Sequence, residues 1–157
     1  MRLCVDLNVW CASLLADRMG RAGTASQEIV RAVRGFAGRT PIQLVISWGM
    51  LARLEQVLIR DLGFLERDAK GLVDAIAGYA AQGPSLTLGG IGVLPILDEE
   101  DRHVLETAWA GRAEALVTAD FGGFVGADAR VIRPERLALA ARAGSNLYII
   151  HPYELAG

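Results

Sequence analysis

Apolar and polar positions along this chain recur in two periods, and the switches between them mark out its elements. Arg2 to Asp6 holds a short apolar run that predicts a strand, opening into Leu7-Asn8-Val9-Trp10 and a helix to about Asp17. Thr24 is placed to cap a second helix reaching about Phe36, with Glu28 in its first turns and Gly38 and Pro41 closing it. Gln43 to Ile46 is a second apolar strand. Ser47 then caps a helix from about Trp48 to Arg60, ended by Gly63, in which Met50, Leu51, Leu54, Val57 and Leu58 fall on one stripe. In a further helix from about Glu66 to Ala80, Leu65, Ala69, Leu72, Ile76 and Tyr79 trace the inner side.

Gly83-Pro84 breaks that pattern, and the Gly-rich, β-prone run Ser85 to Leu97 predicts an extended segment leading to Asp98. The next helix carries Val104, Leu105 and Ala108 as its apolar stripe. Ala115 to Ala119 reads as a buried strand that exits at Asp120. A loop is expected at Phe121-Gly122-Gly123-Phe124, a short strand at Arg130 to Ile132 and a helix from about Pro134 to Ala143. A last strand, Leu147 to Ile150, precedes a turn at Pro152-Tyr153-Glu154-Leu155. Short strands alternating with helices predict an α/β fold: one domain over residues 1–157, with a central, mostly parallel twisted sheet flanked by helices.

Composition narrows the function classes. With 52% apolar and 22% charged residues, the 157-residue chain has the makings of a folded core. No apolar run approaches the roughly 18 residues of a membrane span, and the N-terminus lacks a signal peptide's apolar region, so a cytoplasmic protein is expected. Cys4 and Cys11, without a matching His/Cys cluster, do not make a zinc site. A formal net charge of −2 excludes the broad positive field of a nonspecific nucleic-acid coat. Arg18, Arg21, Arg31, Arg34 and Arg39 crowd one early segment, either a solvated helical surface or a local basic face whose guanidinium forks suit phosphate.

Three acids stand out. Asp101 lies one turn before Leu105, near the centre of its helix's apolar stripe, and Asp98 is already placed to cap that helix. A carboxylate turned inward is costly unless a cation or hydrogen-bond donors hold it. Asp6 and Asp120 each end a strand, and parallel strands bring both to the sheet edge where α/β folds bind ligands. A divalent metal is the simplest partner for three converging carboxylates. His103 points away from the stripe and is expected at the surface, and His151 beside Pro152 reads as structural. Trp10, Trp48 and Trp109 read as core or contact residues.

These residues resemble the motifs of the PIN domain family. Val5-Asp6-Leu7-Asn8 is similar to its first motif, Asp98-Glu99-Glu100-Asp101 to Ala108 to its third, and Leu116-Val117-Thr118-Ala119-Asp120 to its fourth. The resemblance runs from the first strand to His151-Pro152. It implies a metal-dependent ribonuclease acting on RNA, in small bacterial members often a VapC-like toxin of a type II toxin–antitoxin pair, bound by a cognate antitoxin and forming a homodimer. It implies Asp6, Asp101 and Asp120 as metal-binding acids, with Asn8 and Thr118 orienting carboxylates and the attacking water. Oxygen-only ligands favour Mg²⁺ or Mn²⁺.

The second motif departs from the family. It starts at Ser47 but has Arg53 where an acid is usual, and Glu55 lies roughly 160° round the helix from Arg53. Ser47 and Arg53 are expected on the substrate side, and three arrangements of Arg53 are open: contact with substrate phosphate, pairing with Asp6 or Asp101 in place of the metal, or an outward orientation. An endoribonuclease and a degenerate domain that binds RNA or a protein without cutting both fit. A haloacid-dehalogenase-type phosphatase does not, since Asn8 replaces its second Asp and Lys70 is the only lysine.

Overall fold

The computed structural model describes residues 1–35, 41–80, 86–87, 98–126 and 128–156. In chain order the elements are β1 (Arg2–Val5), α1 (Leu7–Arg18), α2 (Ala25–Val33), β2 (Gln43–Ser47), α3 (Trp48–Arg60), α4 (Glu66–Ala80) and β3 (Leu86–Thr87). They continue with α5 (Glu99–Ala110), β4 (Ala115–Val117), α6 (Phe121–Phe124), β5 (Ala129–Arg133), β6 (Leu137–Arg142), β7 (Ser145–Ile150) and α7 (Pro152–Ala156). Among the described residues seven strands form one sheet, ordered β3-β2-β1-β4-β7-β6-β5. Pairing is parallel from β3 through β7 and antiparallel at β6 and β5. The expected α/β sheet is therefore present, with an antiparallel hairpin added at one edge.

The central strands are apolar throughout because the sheet is covered on both sides. Cys4 pairs with Val45 on one flank and Leu116 on the other, and all three are buried. Helices settle on this sheet by their apolar stripes: Met50, Leu51, Leu54 and Leu58 from α3, and Val104, Leu105 and Ala108 from α5. The stripe of α4 is turned slightly from expectation. Ala69, Val73, Ile76 and Ala80 are inside, while Leu65 is 63% exposed just before the helix begins.

Caps fix where the helices start. Thr24 and Gln27 make a reciprocal capping box at α2, the Asp98 carboxylate accepts from the Asp101 N–H at 3.0 Å, and the Ser47 hydroxyl accepts from the Met50 N–H at 3.1 Å. Helix α2 stops at Val33, and Phe36 and Gly38 lie outside the described residues. Of the extended run expected over Ser85 to Leu97, Leu86–Thr87 pairs with β2, and Ser85 and residues 88–97 lie outside the described residues, as do Gly83-Pro84. The loop expected at Phe121–Phe124 is instead a single helical turn capped by Asp120.

The helix expected from Pro134 to Ala143 is a strand. Its Ala, Leu and Arg content favours a helix, but Leu137 to Arg142 pairs along the whole of β7, with Ala138 and Ala140 buried at alternate positions. Ala143 and Gly144 turn between the two strands with φ of 48° and 80°, the pair of positive angles whose twist matches a hairpin. Pro134 sits in the preceding turn, where its missing N–H removes no ladder bond.

Candidate metal and nucleic-acid site

Since β1, β2, β4 and β7 run parallel, the residues at their carboxyl ends meet at one edge of the sheet. The ladder continues one step past β1 and β4: the Asp6 N–H donates to the Val117 carbonyl at 2.9 Å, and the Thr118 N–H to that of Ile150 at 3.0 Å. This draws the Thr118 side chain against Asp6. Asp6 Oδ1 accepts from the Leu7 N–H at 2.7 Å, and its Oδ2 accepts from Asn8 Nδ2 and from the Thr118 hydroxyl, each at 2.7 Å. Asn8 Oδ1 in turn accepts from the Ala119 N–H at 3.2 Å, and Thr118 Oγ1 from the Asp120 N–H at 3.0 Å. Asn8 and Thr118 thereby tie the start of α1 to the exit of β4. With about four acceptor positions on a carboxylate, Asp6 keeps roughly one free.

Asp101, in the first turn of α5, and Asp120, capping α6, converge above Gly123. A Cβ added at Gly123 would lie 2.8 Å from Asp101 Oδ2 and 2.9 Å from Asp120 Oδ2, so those oxygens are no more than about 6 Å apart. Only glycine leaves that space. The acids act on one another through their charge. Burial, then the charges of Asp98, Asp6, Asp120 and Glu100, push the Asp101 carboxyl up to about 6. Burial chiefly, with the charges of Glu100 and Asp120, raises Asp6 to about 6 against the lowering effect of its Thr118 and Leu7 hydrogen bonds. Among the described residues no three His, Cys, Asp or Glu side chains form a ready group around one ion. Asp101 and Asp120 face each other, and Asp6 is turned toward Asn8 and Thr118.

Ser47 and Arg53 make contacts of their own with α5. Ser47 is fully buried, and besides capping α3 its hydroxyl meets His103 Nε2 at 3.0 Å. His103 is thus not the surface residue its helical position suggested. It is half-buried between α3 and α5, over Gly49, where a Cβ would come within 2.6 Å of its Nε2. Arg53 pairs with Glu100 at 3.3 Å across a cleft of about 640 Å³ that Gly49 and His103 also line. Its partner is therefore neither Asp6 nor Asp101. Glu100, one of a run of acids at the helix start that the sequence did not set apart, has a charge that reaches both Asp6 and Asp101.

A family model described as a PIN domain matches residues 2–122. The chain belongs to the PIN domain family. No curated protein and no solved structure matches it. The matched span contains Asp6, Arg53, Asp101 and Asp120, and leaves out β5, β6, β7 and α7. PIN domains have a nuclease-type fold and are generally nucleases, which fits acids gathered at a parallel sheet's carboxyl edge. In this PIN domain no helix among the described residues is long and apolar enough to cross a membrane.

The structure also assembles a group that the sequence did not single out. His151, at the end of β7, stacks on Tyr153 with ring centroids 5.2 Å apart, and the Arg136 guanidinium lies 5.2 Å from the Tyr153 ring centroid. The signal in the sequence was Tyr153 itself, an aromatic between Pro152 and Glu154.

Proposed function

We propose that this PIN domain is a divalent-metal-dependent endoribonuclease that hydrolyses RNA phosphodiester bonds, and the toxin of a type II toxin–antitoxin pair. A cytoplasmic homodimer neutralised by a small antitoxin completes that reading. The observation that carries it is the convergence of Asp101 and Asp120 above Gly123, beside the tethered carboxylate of Asp6.

The donors suit a hard cation. They are all carboxylate oxygens, and burial with neighbouring negative charge raises the pKa of two of the acids, Asp6 and Asp101, a situation that a cation relieves. Mg²⁺ keeps several waters and uses one or two carboxylates together with substrate phosphate. Asp101 and Asp120 would hold it, with Asp6 reaching it through its remaining acceptor position. Such an ion, when bound, lowers the pKa of a water and offsets charge on the scissile phosphate. Asn8 and Thr118 keep the Asp6 carboxylate from rotating, and Arg53 is engaged by Glu100 rather than by Asp6 or Asp101.

A second reading, a degenerate domain that binds RNA or protein without cutting, draws support from the Arg in place of an acid on α3. Metal linkage separates the two. Millimolar Mn²⁺ raises the thermal midpoint of the wild type, Asp101→Asn removes that rise, and RNA is cut in Mn²⁺ and spared in EDTA. A midpoint indifferent to Mn²⁺, with RNA left intact, would favour the non-cutting domain.

A further inference from the structure

We propose that Tyr153, backed by His151 and Arg136, is a stacking platform for an unpaired base of single-stranded RNA whose backbone passes Asp120; this rests on the nuclease reading above. The topology sets the platform beside the acids. Strand β7 is the parallel neighbour of β4, with Ile150 opposite Val117, so His151 emerges one strand away from Thr118, Ala119 and Asp120. A hollow of about 380 Å³ connects them, lined by Asp120, Gly122, Arg136, His151 and Tyr153 among others. That volume lies within the range of pockets that hold small organic ligands, about 300–1,000 Å³, and well above what a lone ion needs. A second hollow, of about 420 Å³, shares Ala119, His151 and Tyr153 with the first and continues toward Met19 and Thr24. The groove therefore extends past the platform on the side away from Asp120.

The platform is built before any ligand arrives. Tyr153 remains 65% exposed after making its contacts with His151 and Arg136, which leaves ring surface for another ring. Arg136 is held by its turn: its N–H donates to the Arg133 carbonyl at 3.1 Å, and its carbonyl accepts from the His151 N–H at 2.9 Å. Glu135, inside that turn, has φ of 55°, a conformation costly for a non-glycine residue and one that collects at ligand-binding positions. An ion pair between Arg133 and Glu154 fastens α7 to the hairpin. His151 Nδ1 accepts from the Tyr153 N–H at 3.3 Å, and Arg136 Nη1 lies 3.5 Å from the same nitrogen. Burial and the Arg136 charge lower the His151 pKa against the raising charge of Glu135.

An aromatic ring with a guanidinium against it offers a base a π-face and a phosphate a fork of donors. Those two features together match a nucleotide. A paired base cannot reach such a ring without leaving its helix, so the platform selects single strands.

The test measures binding apart from cleavage. Fluorescence anisotropy of a short fluorescein-labelled single-stranded oligoribonucleotide is recorded in EDTA, with cleavage in Mn²⁺ followed separately. Tyr153→Ala is expected to weaken binding about tenfold, with the thermal midpoint unchanged. Tyr153→Trp keeps wild-type affinity, Arg136→Ala flattens the salt dependence, and duplex RNA of the same sequence is insensitive to Tyr153→Ala. The platform is overturned if Tyr153→Ala binds the single strand as tightly as wild type, or if Tyr153→Trp is as weak as Tyr153→Ala. It is also overturned if the wild type shows no salt-sensitive RNA binding, the result expected of a protein-docking face. Cleavage untouched by Tyr153→Ala sinks the platform and spares the nuclease reading. Tyr153-dependent binding with no cleavage in Mn²⁺ does the reverse.

Discussion

Asp6 offers the most exacting check on this description of the site. Its carboxyl is pushed from 3.8 to about 6, chiefly by burial. Between those values the native protein holds a proton that the unfolded chain has released. The stability that Asp6 contributes to the metal-free protein is therefore fully present below about pH 4 and is lost as pH rises through about 6. A shift of roughly two units is worth about 3 kcal/mol in full, and about 2 kcal/mol of that falls between pH 4.5 and 7.5. Asp101 adds to the same slope, by less, because water screens it more. For a domain of this size about 2 kcal/mol moves the thermal midpoint by about 4–8 °C. Urea and thermal melts in EDTA at the two pH values, on wild type and Asp6→Asn, isolate the effect. Wild type should gain the stated amount on acidification, and Asp6→Asn should lose most of that gain whatever its absolute stability. Mn²⁺ at pH 7.5 should recover much of the deficit in wild type. An equal pH slope in the two proteins would refute the argument that Asp6 is a strained, metal-free carboxylate.

Other substitutions probe separate contacts. Gly123→Ala puts a methyl within 3 Å of the Asp101 and Asp120 oxygens and should cut metal-dependent RNA cleavage by roughly a hundredfold. Its thermal midpoint should hold, since Ala favours a helical turn; unchanged cleavage would remove the pair from the site. Arg53→Glu brings an acid beside Glu100 and the aspartates and should tighten Mn²⁺ binding at least several-fold by titration calorimetry, whereas identical affinity would make Arg53 a bystander. Gly111→Ala sets a methyl into Val45 Cγ1 in the buried centre of the sheet and should cost roughly 1–3 kcal/mol in urea melts. Stability equal to wild type would mean that β2 yields more easily than a packed core allows.

The acids were legible in the sequence because each carries a local contradiction. Asp101 interrupts an apolar helix face, and Asp6 and Asp120 close apolar strands. Arg53 was equally visible, as a cation where an acid was due, but a one-dimensional pattern does not say where a long side chain ends. Its contact with Glu100 joins α3 to α5 across 47 residues of chain. His103 shows the same limit. The wheel put it outside because a wheel has one inside direction, whereas α5 also touches α3 along a second face, where Gly49 leaves room for the ring.

By itself the sequence determined the strand and helix alternation, the caps at Thr24, Ser47 and Asp98, and which acids leave the sheet at its carboxyl edge. Those follow from periodicity and near-neighbour hydrogen bonding, which act over a few residues. Tertiary structure decided what depends on pairing partners. It made a strand of the helix-favouring run after Pro134, because β7 offered a ladder to Leu137–Arg142. It set Asp101 against Asp120 across a glycine, and drew Arg136, His151 and Tyr153 into one stack. Each of these is a contact between elements, whose energy exists only once both partners are in place.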